Sequence, residues 1–492
     1  MHLSELLRPL QLPQLPTTDP LVNGVCADSR RISPGQVFIA IRGFATDGHR
    51  YIPDAVAKGA AAVVLEDPAY LTAAQGSVAV VRVPNSRRAA AILADEYYGH
   101  PSRALTLVGC TGTNGKTTVS LLLESIFRAA GFRTGVIGTL GRQVAGAWYG
   151  SERTTPDAIE LQALLADMRQ AEVSHVAMEV SSHALDLDRV WGCQFAGAVF
   201  TNLSQDHLDF HSGLDEYLAA KLRLFTEYAD NAPAHRPMVC AVNVDDPWGV
   251  RVAEQARGVV VRYGTNGGSE VRARGIHISP DGVSFELVIG RAARPVKLHL
   301  TGHFNVHNAL GAAACCHGLG MDMDTIVAGL ESLQAVPGRF ECVSAGLPYS
   351  VIVDYAHTPD ALLNTLQAAR ALNPRRLLCL FGCGGDRDRG KRPLMGKVAS
   401  DHADFTFITS DNPRSEDPLA IIEDIRGGMT TDAYCVEPDR RKAIFQAVAA
   451  CQPGDMLILA GKGHETYQEF ADHRIEFDDR QVAREAIAAR EG

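Results

Sequence analysis

Basic charge is in short supply in this chain. Lys and Arg total 47 against 57 Asp and Glu, a formal net charge of −10 over 492 residues. A general nucleic-acid binder would carry a basic face, so that class is excluded. Long apolar runs are also missing: nothing approaches the roughly 18 residues of a membrane span. Residues 1–16 contain Glu5, Arg8 and three prolines, and they lack the apolar stretch of a signal peptide. The eleven cysteines lack paired spacing. Cys379-x3-Cys383 and the neighbours Cys315 and Cys316 find no matching partners for a zinc ribbon, so they read as buried reduced thiols in a cytosolic protein. There is no tandem repeat and no low-complexity tract.

What is present is an ordinary globular balance, 46% hydrophobic and 21% charged, which leaves no room for long disorder. The length suggests about three domains. The 45 Gly and 24 Pro are spread along the chain and mark many turns between short elements. Strands at 37–41 and 61–65, with a helix at 52–58 closed by Gly59, make a first small α/β unit ending near His100-Pro101-Ser102. A second pattern begins with an apolar strand at 104–109, a Gly-rich turn, and a helix at 116–130 stopped by Gly131. Strand-like runs recur at 133–137, 175–180, 196–200 and 237–242. Helical patterns separate several of them, which predicts a parallel sheet with crossover helices. Residues 271–300 alternate around Pro280-Asp281-Gly282 and predict antiparallel hairpins; 303–319 reads as a helix. After a linker at 335–338, strands at 349–354, 377–381, 404–409 and 456–460 alternate with helices at 360–372, 418–426 and 440–450.

Gly112-Thr113-Asn114-Gly115-Lys116-Thr117-Thr118 stands where a strand turns into a helix. Glycines let backbone N–H groups curl toward a phosphate, and the helix N-terminus and Lys116 add positive potential. The Thr117 hydroxyl suits Mg²⁺. Cys110 replaces the first glycine of the usual pattern. The loop by itself implies a nucleoside triphosphate and no particular reaction. His207 and His211, four residues apart, would face one side of a helix. Zinc ligation, plain helix-start polarity and a magnesium ligand all remain open for them.

Further motifs follow: Glu179-Val180-Ser181-Ser182-His183, Thr201-Asn202-Leu203, Asp206-His207-Leu208-Asp209, Lys221, Gly302-His303-Phe304-Asn305-Val306-His307-Asn308, Gly338-Arg339-Phe340-Glu341 and Asp354-Tyr355-Ala356-His357-Thr358-Pro359. With the phosphate loop they resemble the Mur ligase family of peptidoglycan synthesis over nearly the whole chain. The resemblance implies an α/β protein of three domains: an N-terminal UDP-substrate-binding domain (1–100), a central P-loop ATP-binding domain with a mainly parallel sheet (101–336), and a C-terminal Rossmann-like, amino-acid-binding domain (337–492). Asp28-Ser29-Arg30, residues 43–48 and Asp411-Asn412-Pro413-Arg414 are similar to the members that add the third residue of the stem peptide, and the last motif resembles the version in those that add meso-diaminopimelate.

The implied reaction is ATP-dependent amide formation through an acyl phosphate. It would join meso-diaminopimelate to UDP-N-acetylmuramoyl-L-Ala-D-Glu, in the cytoplasm, by a monomer. By resemblance, ATP falls to Gly112 through Thr118, Asn305, Arg339, Asp354 and His357. Lys116, Glu179, His207 and Lys221 would be catalytic. Two Mg²⁺ ions would use Thr117, Glu179, His207 and Lys221, the last N-carboxylated by CO₂. The UDP-substrate would meet Ala27, Ser29, Phe44, Ala45, Thr46, Thr154, Thr155, Ser181 and Arg189; Leu187 stands where many relatives carry Gln. Diaminopimelate would meet Arg387, Asp411, Asn412, Pro413, Arg414, Gly461 and Glu465. The rivals are a lysine-adding relative, a folylpolyglutamate synthase-like ligase, and a P-loop protein that binds ATP only as a switch.

Overall fold

The computed structural model describes all residues except 45, 75–77, 152, 205–209, 212, 345 and 492, and leaves out the side chains of 73 and 74. The chain divides into two compact units, Met1–Val271 with Gly311–Ile326, and Arg272–Leu310 with Val327–Gly492.

In the first unit, strands Val25–Cys26, Val37–Ile39, Ala62–Leu65 and Ala79–Arg82 pair in parallel in that order. Helix Ser86–Tyr97 starts where the Asn85 side chain accepts the Arg88 N–H at 3.0 Å, a cap that satisfies one orphan donor. Its Ala89, Ala90, Leu93 and Ala94 bury against Leu3, Leu6, Val37 and Val64.

The same unit holds a larger sheet. Six parallel strands run in the order Val259–Gly264, Val239–Asn243, Gly197–Phe200, Thr106–Thr111, His175–Glu179 and Thr134–Gly138. Gly141–Val144 and Ala147–Tyr149 extend it antiparallel. Thr106–Thr111 and His175–Glu179 are buried nearly throughout, as expected of apolar runs covered on both faces. The connections leave Thr106–Thr111 central, so loops after neighbouring strands gather at one sheet end, where doubly wound folds bind ligands.

Residues 214–228 contain no proline or glycine, yet they do not form one helix. Helix Leu214–Leu222 passes into a 3-10 turn at Arg223–Phe225, and a separate turn Glu227–Asp230 follows. Thr226, with φ −114° and ψ −78°, separates the two turns. Phe225 and Tyr228 both lie in the core.

In the second unit, Gly282–Ile289 and Ala292–Leu298 form an antiparallel hairpin, as the alternation predicts. A second sheet has the order Glu341–Cys342, Ser350–Asp354, Met456–Ala460, Leu377–Phe381, Phe405–Ile408 and Tyr434–Val436, parallel apart from its first strand. Helices Pro359–Ala371 and Lys391–His402 pack on one face and Arg440–Ala450 and Asp479–Glu491 on the other. Again the polar loops collect at the carboxyl ends of the strands.

Candidate active site

The phosphate loop leaves strand Thr106–Thr111 and enters helix Lys116–Ala129. Gly112 sits at φ +146°, and a Cβ there would fall 1.9 Å from Thr201 Oγ1; Gly115, at φ +88°, opens the helix. Both positions therefore require glycine. Lys116 Nζ folds back to donate to the carbonyls of Gly112 (2.9 Å) and Thr113 (2.8 Å). The loop is tied to the end of the neighbouring strand. Thr113 N donates to Asn202 O, Asn114 N donates to Asn202 Oδ1, and Thr201 Oγ1 donates to Asn114 O at 2.6 Å. Thr117 and Thr118 are buried.

Lys221, fully buried, also donates to Gly112 O, at 2.9 Å, and its Nζ lies 4.2 Å from the centre of the Tyr217 ring. A residue 109 positions downstream is thus brought to the phosphate loop. His207, with Asp206, Leu208 and Asp209, lies outside the described residues.

Glu179 ends its strand buried. Its Oε1 accepts the Thr139 N–H at 2.8 Å and its Oε2 the Thr139 hydroxyl at 3.1 Å. Gly138 makes room, since a Cβ there would meet Glu179 Oε1 at 2.3 Å. Burial and the facing Glu179 push the Cys110 thiol far up, so Cys110 is an inert wall here rather than a nucleophile.

The same edge carries the residues matched to the UDP-substrate. Thr154 Oγ1 lies 3.1 Å from Thr139 Oγ1. Thr155 Oγ1 donates to Glu179 O at 2.8 Å and accepts the Ser181 N–H, while Arg189 reaches Thr155 O and Asp157. Leu187 closes the short helix Ser182–Asp186. In the small sheet's loops, Phe44 is 77% exposed and meets Phe210 edge-on at 5.8 Å; Phe210 lies against His183 at 4.0 Å. Thr46 Oγ1 lies 3.2 Å from the Tyr51 hydroxyl, and Ser29 O accepts from Lys58. Ala27 is exposed. Ala45 lies outside the described residues.

In the second unit, Asp354 accepts from Phe340 N, Ala356 N and Thr365 Oγ1. The Arg339 guanidinium lies over the Tyr355 ring at 4.7 Å, and His357 Nδ1 is 2.8 Å from Tyr355 O. Asn305 and Asn308 are already engaged locally: Asn305 Nδ2 donates to Thr301 O and Asn308 Nδ2 to Asn305 Oδ1.

The 411–414 loop follows strand Phe405–Ile408. Arg414 adopts a left-handed φ of +51°. Its Nε donates to Glu469 Oε2 at 2.9 Å and its Nη1 to Gly385 O at 2.8 Å. Part of its guanidinium fork is therefore held by an internal carboxylate. Gly385 N donates to Asn412 O, and Asp386 binds Ser415, so the turn carrying exposed Arg387 is stitched to this loop. Beneath, fully buried Arg392 bonds Glu416 and Asp424 and holds the Glu416 carboxyl down at about 2. Gly461, at φ +111°, faces Asp411: a Cβ would sit 2.8 Å from its Oδ2. Glu465 Oε2 accepts from Asn412 Nδ2 at 2.8 Å.

Three family models match in succession: the Mur ligase family catalytic domain over 21–98, the Mur ligase middle domain over 110–316 and the Mur ligase glutamate ligase domain over 338–463. The chain is 45% identical over 494 aligned residues to a UDP-N-acetylmuramoyl-L-alanyl-D-glutamate–2,6-diaminopimelate ligase of Solibacter usitatus, covering 99% of this chain and 98% of that one. The chain belongs to the Mur ligase family. A ligase of the same name from Geobacillus kaustophilus is 46% identical over 94% of each chain. A solved structure of such a ligase superposes with a TM-score of 0.71 at 32% identity, covering 100% of this chain and 99% of that one. Folylpolyglutamate synthase of Mycobacterium tuberculosis shares the fold alone, at 20% identity and a TM-score of 0.60 over 76% of this chain and 92% of that one.

Mur ligases are ATP-dependent carbon–nitrogen ligases that work with Mg²⁺. The donors at the loop suit that hard cation: the Glu179 carboxylate and the Thr117 hydroxyl offer oxygen. Among the described residues no group of three His, Cys, Asp or Glu side chains is placed to hold a metal ion. Several Mur ligase residues escaped the sequence reading. Thr139 aims Glu179, Asn202 ties down the loop, and Lys462 and Glu469 organise the 411–414 loop. Of these only Asn202 stands in one of the motifs above, Thr201-Asn202-Leu203, and it carried no role there.

Proposed function

We propose that this Mur ligase joins meso-diaminopimelate to UDP-N-acetylmuramoyl-L-Ala-D-Glu at the expense of ATP, in peptidoglycan precursor synthesis. The observation that carries this is the likeness to diaminopimelate ligases along essentially the full length of both chains. Domain boundaries near residues 100 and 336 go with it, as does action as a cytoplasmic monomer. Among the described residues no helix is long and apolar enough to cross a membrane.

A carboxylate resists amines because oxide is a poor leaving group. Attack of the substrate carboxylate on the ATP γ-phosphorus releases ADP and leaves an acyl phosphate. The amino acid's amine, having lost its proton, adds to the acyl carbon, and the tetrahedral adduct expels phosphate as the amide forms. Lys116 and the amides of residues 112–118 hold the β- and γ-phosphates; Lys116 would exchange its two carbonyl partners for phosphate oxygens. Thr154, Thr155, Ser181 and Arg189 orient the UDP-dipeptide beside Glu179. Ala27, Ser29, Phe44, Ala45 and Thr46 hold its uridine diphosphate end. Asn305 serves adenine, Asp354 and His357 the ribose, and Arg339 the phosphates. Arg387, Arg414 and Asn412 receive the amino acid's carboxylates, and Glu465 its ammonium. Thr117, Glu179 and His207 would hold Mg²⁺, which would supply charge neutralisation for the phosphates.

Lys221 belongs to this reading as a carbamate. Its neutral amine would add to CO₂, forming an N–C bond and releasing a proton, and the resulting anion would offer oxygens to Mg²⁺. Lys221 Nζ stands 2.9 Å from Gly112 O of the phosphate loop, where a carbamate would lie beside bound phosphates. A mass gain of one CO₂ on Lys221 in native spectra checks this; an unmodified lysine in active enzyme refutes it.

ADP release that requires both the UDP-dipeptide and the amino acid, with amide product in the mass spectrum, is the expected result of a ligation assay. ATP turnover indifferent to both would instead support the switch reading.

A further inference from the structure

Lys462 is wholly buried between two glycines, in the loop after strand Met456–Ala460. Its Nζ donates to Asn412 Oδ1 at 3.0 Å and to Glu465 Oε2 at 3.1 Å. Asn412 Oδ1 also accepts the Glu469 N–H at 3.0 Å, and Asn412 Nδ2 donates to Glu465 Oε2 at 2.8 Å. Burying an ammonium is costly unless it is paired and hydrogen-bonded, and this one has a carboxylate and an amide oxygen. With its oxygen engaged by two donors, the Asn412 amide has one orientation. One N–H then points at Glu465 and the other is left for a ligand. Glu465 likewise has Oε2 engaged twice, which leaves Oε1 to receive a cation.

We propose that Lys462 is a positioning residue for the amino-acid substrate. Its ammonium locks the Asn412 amide and the Glu465 carboxylate in the orientation that receives the substrate's carboxylate and ammonium. The inference rests on the assignment of the 411–414 loop and Glu465 to the amino acid.

The test measures three Michaelis constants in the full-length enzyme. Lys462→Met removes the cation at similar length. Loss of charge-assisted hydrogen bonds of this kind corresponds to about 10- to 100-fold. The KM for diaminopimelate is expected to rise by that factor, with those for ATP and the UDP-dipeptide unchanged. In the Asn412→Ala background the same substitution should add little, because both act through one network. Equal rises in all three constants, or effects of Lys462→Met and Asn412→Ala that multiply, would overturn the proposal. If circular dichroism shows Lys462→Met unfolded, Lys462→Arg carries the test. It keeps the charge but not the compact geometry, and should raise only the amino-acid KM; three unchanged constants refute the role. Wild type incapable of ligating diaminopimelate would refute the substrate assignment instead, and the same constants are then read with the amino acid it does ligate.

Discussion

The phosphate loop and the 411–414 loop both leave the carboxyl end of a parallel strand, yet they are held in opposite ways. Lys116 bonds carbonyls three and four residues before it. Much of that loop's conformation is local, set by Gly112 and Gly115. The 411–414 loop is held by Lys462, Glu465, Gln468 and Glu469, which lie 50 to 57 positions away from the residues they bond. The first loop takes its shape from its own glycines, is anchored by Thr201, Asn202 and Lys221, and serves a ligand common to many enzymes. The second is a tertiary device, and on the proposed reading it receives the amino acid. Damage to the first should abolish all chemistry, whereas damage to the second should change substrate choice.

The largest effect is expected from Lys116→Ala. Ligation should fall by about a thousandfold or more, because the transferring phosphoryl group loses its cation, while far-UV circular dichroism stays unchanged. Arg414→Ala comes next. Losing a desolvated charge pair of about 2–4 kcal/mol should reduce diaminopimelate use by about 30- to 1,000-fold, with the weak lysine rate little altered. Equal loss with both amino acids would mean that Arg414, tied to Glu469 and Gly385, only shapes the loop. Gly138→Ala tests the geometry behind Glu179. The new methyl must displace the carboxylate, and misplacement by about 1 Å costs about 100-fold in turnover, at nearly normal thermal stability.

The smallest effect concerns pH. Burial and the nearby Arg339 lower His464 to about 4. Between about 6.5 and 4 the unfolded chain takes up a proton that the folded chain refuses, so this histidine costs stability as pH falls through that window. Above it both states are neutral and the effect vanishes. Denaturation at pH 7 and pH 5 should show His464→Gln losing about 1–2 kcal/mol less than wild type on acidification. Equal losses would place the histidine in an ordinary solvated environment.

The same contrast governs what was legible in the sequence. The alternation of apolar strands and helices exposed both parallel sheets, because buried strands are short apolar runs between Gly-rich turns. The phosphate loop was legible because its residues are contiguous. Lys221 and Glu179 became candidates only through family resemblance; nothing local distinguishes Lys221 from a solvated helical lysine, and its burial comes from Gly112 and Tyr217. Lys462 was overlooked for the same reason. The break at Thr226 was hidden because Leu214 to Tyr228 contains no proline or glycine to announce it. Arg414's tie to Glu469 was not legible because Glu469 approaches from a hairpin 55 residues later.

The account's central claim is that the second loop selects diaminopimelate. Equimolar meso-diaminopimelate and L-lysine offered to the wild-type enzyme with ATP and the UDP-dipeptide, with products read by mass spectrometry, test it most directly. Nearly exclusive incorporation of diaminopimelate is expected; comparable incorporation of lysine would contradict the account.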